Sequence, residues 1–174
     1  MVVDKTIVLE ERLTEMFVDL PNMSYDVAGT QYPIVFGYGD PKELNIFLKN
    51  KEKGISPYPL IWLLYPYKEE HNENRMLVNN AVFILAVKTN TSMENFQRLK
   101  ETYKKVLFPL LDNFRYLFKK ANIISTKEEY TITKYPNYSD TDAGEKHAGN
   151  FIWDALKVET SFQVVSNCYR TVNY

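Results

Sequence analysis

The chain has 174 residues, of which 45% are hydrophobic and 25% are charged, with 21 Lys and Arg residues against 22 Asp and Glu residues. This length and apolar content predict one globular domain over residues 1–174 that folds without a disulfide or a metal. The formal net charge of -1 disfavours a protein that holds nucleic acid through bulk positive charge.

The sequence also bears on membranes and secretion. No run approaches the roughly 20 consecutive apolar residues that a membrane-spanning helix needs. Asp4, Glu10 and Glu11 near the start of the chain are not typical of a signal peptide or a mitochondrial presequence. We therefore expect no membrane association and synthesis in the cytoplasm. The single cysteine, Cys168, excludes an internal disulfide.

Two helices are predicted in the first 50 residues. Over residues 4–20, apolar side chains recur three or four positions apart with acidic side chains between them, which indicates an amphipathic helix. A second helix is predicted over residues 40–50. Asp40 can cap its first turn, Pro41 suits the first helical position, and Glu43 can complete a capping box.

Apolar runs predict the next strands. Residues 32–36 suit a short strand, and residues 60–65 form a continuous apolar run bounded by prolines, which indicates a buried strand. The run 81–87, within a predicted strand over residues 76–88, is apolar on both faces, so we place it centrally in a sheet. The polar connector 68–75 is too short for a crossover helix, which favours antiparallel pairing.

A long helix is predicted to begin at Thr91, whose hydroxyl can cap the first turn while Glu94 completes a capping box. Apolar residues, Phe96 and Leu99 among them, then recur at helical spacing for about seven turns. Pro109 removes one backbone hydrogen bond, so we expect a kink or a break within the four residues before it. The opposite face is predicted to be basic, with Arg98, Lys100, Lys104, Lys105, Arg115, Lys119 and Lys120.

Two further strands are predicted near the end of the chain. Residues 129–135 are rich in β-branched and aromatic side chains. Residues 156–165 alternate, so that one face of the strand meets the core. The polar segment 137–150 is long for a loop and indicates a partner-binding segment or one that orders on assembly. These elements predict an α+β fold, in which a mainly antiparallel four- or five-stranded sheet packs against a long kinked helix and an N-terminal helix.

The chain contains no strong motif for catalysis, metal binding or nucleotide binding. The turn at residues 37–41 lacks the third glycine of a dinucleotide fingerprint. Residues 69–71 and 145–147 place carboxylates beside a histidine, but neither has the spacing that brings ligands together on a helix. We therefore predict no catalytic residues, no cofactor and no metal.

Tyrosine and charge are the most informative compositional features. Tyr65, Tyr67 and Tyr135 belong to a group of tyrosines near predicted strand ends. Tyrosine buries area while keeping a polar group, which suits a protein interface and equally suits packing at a sheet edge within one chain. The acidic first helix, with Glu10 and Glu15, complements the basic face of the long helix on another copy, as in head-to-tail rings.

Four features over nearly the whole chain point to one family. They are the amphipathic opening helix, the sequence FGYG at residues 36–39, the apolar block VLFPLL at residues 106–111, and the strand sequence WDALKV at residues 153–158. In these features the chain resembles the tail-terminator and neck (tail-completion) proteins of tailed bacteriophages.

The resemblance implies a sheet flanked by helices, a ring of copies at the head–tail junction or tail, and no catalysis. Its partners are other copies of the chain and other virion proteins of the neck and tail, and DNA passes through the ring without specific binding. We therefore predict a structural virion protein that forms a ring through edge strands and the 137–150 segment. The residues predicted to lie near the contact are Tyr135, Tyr138, Phe151 and Trp153.

Two alternatives remain open at this point. One is a small cytoplasmic hydrolase or transferase that uses His147 with Asp142 or Glu145 as an acid–base pair. The other is a cytoplasmic adaptor that binds another protein by strand addition, which predicts an unpaired edge strand in the monomer.

Overall fold

The strands in the described part of the chain form a seven-stranded sheet and a separate two-stranded antiparallel sheet. Helices flank the larger sheet, so the predicted α+β class is confirmed, and the predicted count of four or five strands is too low. The structure is a computed structural model, and it describes residues 7–18, 24–27, 30–52, 59–72, 75–90, 92–120, 123–125, 130–138 and 151–165.

Three consecutive helical segments, over residues 95–97, 98–107 and 108–120, are continuous and are called the long helix below. The elements in chain order are α1 (Leu9–Val18), β1 (Ser24–Val27), β2 (Thr30–Pro33), β3 (Val35–Gly39), α2 (Pro41–Glu52), β4 (Leu60–Leu64), β5 (Lys68–Asn72), β6 (Arg75–Asn90), α3 (Asn95–Gln97), the π-helix (Arg98–Leu107), α4 (Phe108–Lys120), β7 (Ile123–Ser125), β8 (Thr131–Tyr135) and β9 (Phe151–Val165).

β6 is the central strand of the larger sheet. It pairs antiparallel with β9 along its whole length, and its other side pairs antiparallel first with β5 and then with β4. The central position of residues 81–87 and their antiparallel pairing with β4 are thus confirmed. β3 lies outside β4 and is parallel to it. At the opposite edge, β7 and β8 both pair antiparallel with β9.

The two faces of β6 pack into different cores. Phe83 and Leu85 belong to the larger core, which they share with α1 and the long helix. Ile84 and Ala86 point the other way, into a second core that includes side chains of α2. Because burial of apolar surface is the main favourable term in folding, a strand that is apolar on both faces is stable only between two such layers.

α2 begins with the predicted capping box. The Glu43 N–H donates to Asp40 Oδ1 at 2.8 Å, and the Asp40 N–H donates to Glu43 Oε2 at 2.9 Å. Gly39 precedes the box with a φ of 142°, a conformation that side chains rarely adopt. A Cβ at this position would also meet the Glu43 carboxylate. The start of α2 therefore depends on both the box and the glycine.

The long helix starts later than predicted. Its first helical residue is Asn95, and the capping box pairs Glu94 with Gln97, whose Oε1 accepts from the Glu94 N–H at 3.1 Å. The predicted start at Thr91 is therefore wrong, although Thr91 itself lies outside the described residues. Thr91 with Glu94 and Glu94 with Gln97 both have the capping-box spacing, so the sequence alone does not decide which pair starts the helix.

The buried face of the long helix also differs from the prediction. Phe96 and Leu99, expected in the core, are 75% and 38% exposed, whereas Arg98, expected on the basic outer face, is buried. The difference is confined to the start of the helix, where Arg98 turns inward to pair with Asp154. The other eight apolar residues predicted for this face are buried, namely Tyr103, Val106, Leu107, Leu110, Leu111, Phe114, Leu117 and Phe118.

Pro109 lies just after the change of helix type. The Phe108 N–H donates to the Tyr103 carbonyl, five residues earlier, and α4 begins at Phe108. The change falls within the predicted interval, but the helix continues through the proline instead of ending there.

The single strand predicted over residues 32–36 is wrong, because residues 30–33 form β2 of the smaller sheet and residues 35–39 form β3 of the larger one. The segment 68–75, predicted as a connector, contains β5. The other predictions for the described elements hold with shifted bounds. α1 begins at Leu9, and residues 4–6 lie outside the described residues. β8 falls within the predicted 129–135, and β9 starts earlier than predicted, at Phe151. The predicted inward face of β9 is confirmed, because it consists of the buried residues Leu156, Val158, Thr160, Phe162 and Val164.

Candidate functional site

The four residues predicted near a contact lie around the end of β8 and the start of β9. Trp153 and Tyr138 are buried in the core beneath α2, at 1% and 5% exposed. Tyr135 is half-buried, and its ring centroid lies 5.9 Å from that of Tyr138. Phe151 pairs with Asn90 in the ladder between β9 and β6. The chain itself therefore covers two of these side chains, and a role near a contact stays a prediction for all four.

The residues of the alternative catalytic hypothesis, Asp142, Glu145 and His147, lie outside the described residues, as do Cys168 and the 137–150 segment beyond Tyr138. The other carboxylate–histidine segment forms part of β5. Within the described ranges, no three His, Cys, Asp or Glu side chains lie close enough together to hold a metal ion.

A surface cleft of about 480 Å³, called the Glu10 cleft below, opens where α1 passes the junction between β4 and β5. It is lined by Glu10, Tyr65, Pro66, Tyr67 and Glu69. Three of these residues belong to the connector 65–67, which is short because β4 and β5 lie on the same side of β6. Glu10 reaches the connector from the first turn of α1.

A network of hydrogen bonds fixes the side chains in the Glu10 cleft. Glu10 Oε1 accepts from the hydroxyls of both Tyr65 and Tyr67, each at 2.5 Å. The two rings lie 5.6 Å apart at an angle of 52°. Tyr38, 46% exposed on β3, places a third ring 6.2 Å from Tyr65. Short hydrogen bonds to a carboxylate are among the strongest in proteins, so this arrangement is held firmly.

The Glu10 cleft is negatively charged at neutral pH. Burial alone would raise the pKa of Glu10, but the hydrogen bonds from Tyr65 and Tyr67 lower it overall. Burial, together with the hydrogen bond to Glu10 and its charge, raises the pKa of both tyrosines above the ordinary value. Glu10 is therefore ionised while both hydroxyls keep their protons. No described lysine or arginine forms an ion pair with Glu10.

Glu69 stands at the other side of the cleft. Its Oε2 lies 2.8 Å from His71 Nε2 on the same strand. Its charge also contributes to the raised pKa of Tyr67, after burial and Glu10. A carboxylate pair beside aromatic rings can bind an organic cation, through charge and through the ring faces.

A second polar cluster lies inside the fold. Arg98 and Asp154 form an ion pair of 2.5 Å with side chains 5% and 0% exposed. The Asn137 N–H donates to the same Asp154 oxygen at 3.1 Å, and Arg98 Nε donates to the Met93 carbonyl at 3.1 Å. Burial raises the pKa of Asp154, and Asn137 and Arg98 oppose this effect. The pair is enclosed and joins the long helix to β9.

The sequence indicates the individual residues of the Glu10 cleft but does not predict that they lie close together in the fold. Glu10 was one of several acidic residues on a helix, and Tyr65 and Tyr67 were two of several tyrosines near strand ends. Glu10 and Tyr65 are 55 positions apart, so no local pattern joins them. A signal did exist for the buried pair, because Asp154 stands among apolar residues within a predicted strand.

No family model matches the chain. No curated protein matches it either. Among the helices described, none combines the length and the apolar character that crossing a membrane requires.

Proposed function

We propose that this chain is a structural protein of the neck or tail of a tailed bacteriophage, where copies of it form a ring. The observation that carries the proposal is the exposure of aromatic side chains at separate places on one chain. Phe96 is 75% exposed at the start of the long helix, Tyr116 is 61% exposed near its end, and Tyr38 is 46% exposed on β3. Aromatic residues are enriched at protein interfaces, and a ring subunit needs contacts on several sides.

The sheet edges supply further support. Within the described residues, β3 pairs only with β4, and β8 pairs only with β9. Free strand edges readily pair with another chain. The ring contacts are expected at these edges and the 137–150 segment, with Tyr135, Tyr138, Phe151 and Trp153 nearby. A sheet with helices on both faces is also compatible with the architecture that the resemblance to tail-terminator and neck proteins implies.

In this role the chain has no catalytic task and no cofactor. Its partners are its own copies and adjoining proteins of the neck and tail. The near-balanced charge of 21 Lys and Arg against 22 Asp and Glu suits a lumen that lets DNA pass without gripping it.

Quantitative mass spectrometry of purified phage particles tests this function. The chain should remain in the particles through density-gradient purification, at several copies per particle. A replication protein from the same lysate, which should be lost, controls for contamination. Loss of the chain together with that control would overturn the proposal.

The free edge of β3 also favours a second candidate, an adaptor that binds another protein by strand addition. The two functions differ in location. An adaptor would be recovered in a stoichiometric complex from the lysate and would be absent from purified particles.

A further inference from the structure

No described lysine or arginine forms an ion pair with Glu10 or Glu69 of the Glu10 cleft, and the described partner of Glu69 is His71, at 2.8 Å. The cleft combines the carboxylates of Glu10 and Glu69 with the rings of Tyr65 and Tyr67, and the charge of Glu43 lies close enough to affect Tyr65. A lysine ammonium is attracted both to carboxylates and to aromatic ring faces. The cleft is therefore suited to a lysine side chain supplied from outside.

The last turn of α4 carries the complementary charge. Lys119 and Lys120 are exposed, and no described acidic residue forms an ion pair with either of them. Lys100 and Lys105 differ, because they lie 3.9 and 3.6 Å from Glu101. Exposed Tyr116 lies one turn before the two lysines and extends the same surface with an aromatic ring.

The cleft and these lysines lie at opposite edges of one half of the sheet. Across this half the strand order is β5, β6, β9 and β7. The cleft adjoins β5, whereas α4 packs beside β7. Since paired strands lie about 4.8 Å apart, β5 and β7 are separated by about 14 Å. Two different, complementary surfaces at opposite edges are what a head-to-tail contact between copies requires.

We infer that the Glu10 cleft of one copy binds the ammonium groups of Lys119 and Lys120 of the next copy. This contact rests on the ring assembly proposed above and names the surfaces that build it. The Tyr65 and Tyr67 rings pack against the aliphatic part of the lysines, and Glu10 and Glu69 neutralise their charge. Tyr116 of the incoming helix lies at the edge of the contact.

Cross-linking of isotopically mixed chains tests the contact. Labelled and unlabelled full-length protein are mixed, allowed to assemble, and treated with a carbodiimide that joins a carboxylate directly to an amine. The expected products join Glu10 or Glu69 to Lys119 or Lys120, and they include peptides with one labelled and one unlabelled half. Cross-links between copies that exclude these residues would overturn the contact and leave the ring standing. A monomer without any cross-link between copies would overturn both.

Charge-reversal variants provide a second test of the contact, in which sedimentation velocity measures self-association. Glu69→Lys and the double variant Lys119→Glu with Lys120→Glu should each weaken self-association by about tenfold or more. The chain that carries all three substitutions should regain part of the loss, because the new positive charge at position 69 attracts the new carboxylates while Glu10 still repels them. Lys104→Glu, on the same long helix, is the matched control and should have little effect. Equal weakening by Lys104→Glu, or no recovery in the triple variant, would overturn the contact.

Discussion

Arg98 and Asp154 form a buried ion pair that joins the long helix to β9. Their side chains are 5% and 0% exposed, and Arg98 Nη1 lies 2.5 Å from Asp154 Oδ1. The Asn137 N–H donates to the same oxygen, so one carboxylate also holds the segment that follows β8. Loss of either partner leaves a buried charge without its counter-charge, which is far more costly than loss of a surface pair.

Asp154→Asn should therefore lower the free energy of unfolding by about 3–5 kcal/mol. Urea denaturation followed by tryptophan fluorescence measures the loss. The control is Glu159→Gln on the same strand, whose pair with Lys157 spans 3.1 Å between side chains 41% and 30% exposed. It should change stability by less than about 1 kcal/mol.

A double variant keeps this prediction testable if Asp154→Asn does not fold. Arg98→Met with Asp154→Leu replaces both charges by apolar groups, and it should be more stable than either single variant. Equal losses for Asp154→Asn and Glu159→Gln, or a double variant that is the least stable, would contradict the structural role of the pair.

The stability that Glu10 contributes should depend on pH. Because its pKa is lower in the folded chain than in the unfolded chain, the unfolded chain binds more protons between the two values. The stabilising contribution of Glu10 is thus present at pH values above its pKa in the unfolded chain, about 4.3, and it is lost as the pH falls through its pKa in the folded chain. The difference in unfolding free energy between wild type and Glu10→Gln should shrink on acidification.

The control for Glu10→Gln is Glu11→Gln, which removes an equal charge from the exposed side of α1 without touching the tyrosines. Denaturation curves over a pH series measure both. The same difference between the two variants at every pH would show that the tyrosine hydrogen bonds do not set the ionisation of Glu10.

In an alkaline titration, Tyr65 and Tyr67 should ionise at a pH above the ordinary tyrosine pKa of about 10. Burial raises the pKa of both, and the hydrogen bond to Glu10 raises it further. Ultraviolet difference spectra of Tyr65→Phe and Tyr67→Phe assign the late transitions. Glu10→Gln should move these transitions to lower pH. Transitions that stay unchanged in Glu10→Gln would mean that the carboxylate does not hold the hydroxyls in solution.

Gly37 provides a test of the core beneath α2. A Cβ at this position would lie 2.5 Å from a ring atom of Trp62. Gly37→Ala should therefore displace the indole and destabilise the protein by about 1–3 kcal/mol, with a change in tryptophan fluorescence. Adding Trp62→Phe removes the crowded ring atoms, so the double variant should lose less than the sum of the two single changes. Additive losses would show that the two side chains do not meet.

Elements with local signals could be predicted from the sequence. The start of α2 depends on residues within one turn, Asp40 and Glu43, and the central position of β6 follows from apolar residues on both of its faces. β5 could not be predicted, because all of its residues are exposed and it is a strand only where β6 offers a partner. The parallel pairing of β3 with β4 is equally non-local.

The long helix shows the limit of periodicity. Its apolar residues were read with the α-helical repeat, but residues Arg98–Leu107 form a π-helix. The predicted buried face nevertheless holds from Tyr103 onward, and it fails only at the start of the helix, where Phe96 is exposed and Arg98 turns inward to Asp154. The candidate site was missed for a related reason, since the Glu10 cleft exists only once α1 has packed beside the β4–β5 junction.

The central claim is that copies of this chain form a ring in the particle, with the Glu10 cleft of each copy facing α4 of the next. A cryo-electron microscopy map of the neck and tail tests it most directly. The expected map shows a ring of this chain around the path of the DNA, with Lys119 and Lys120 of each copy beside Glu10 and Glu69 of its neighbour. A map that lacks the chain, or holds it as an isolated copy, would show that the chain does not form this ring.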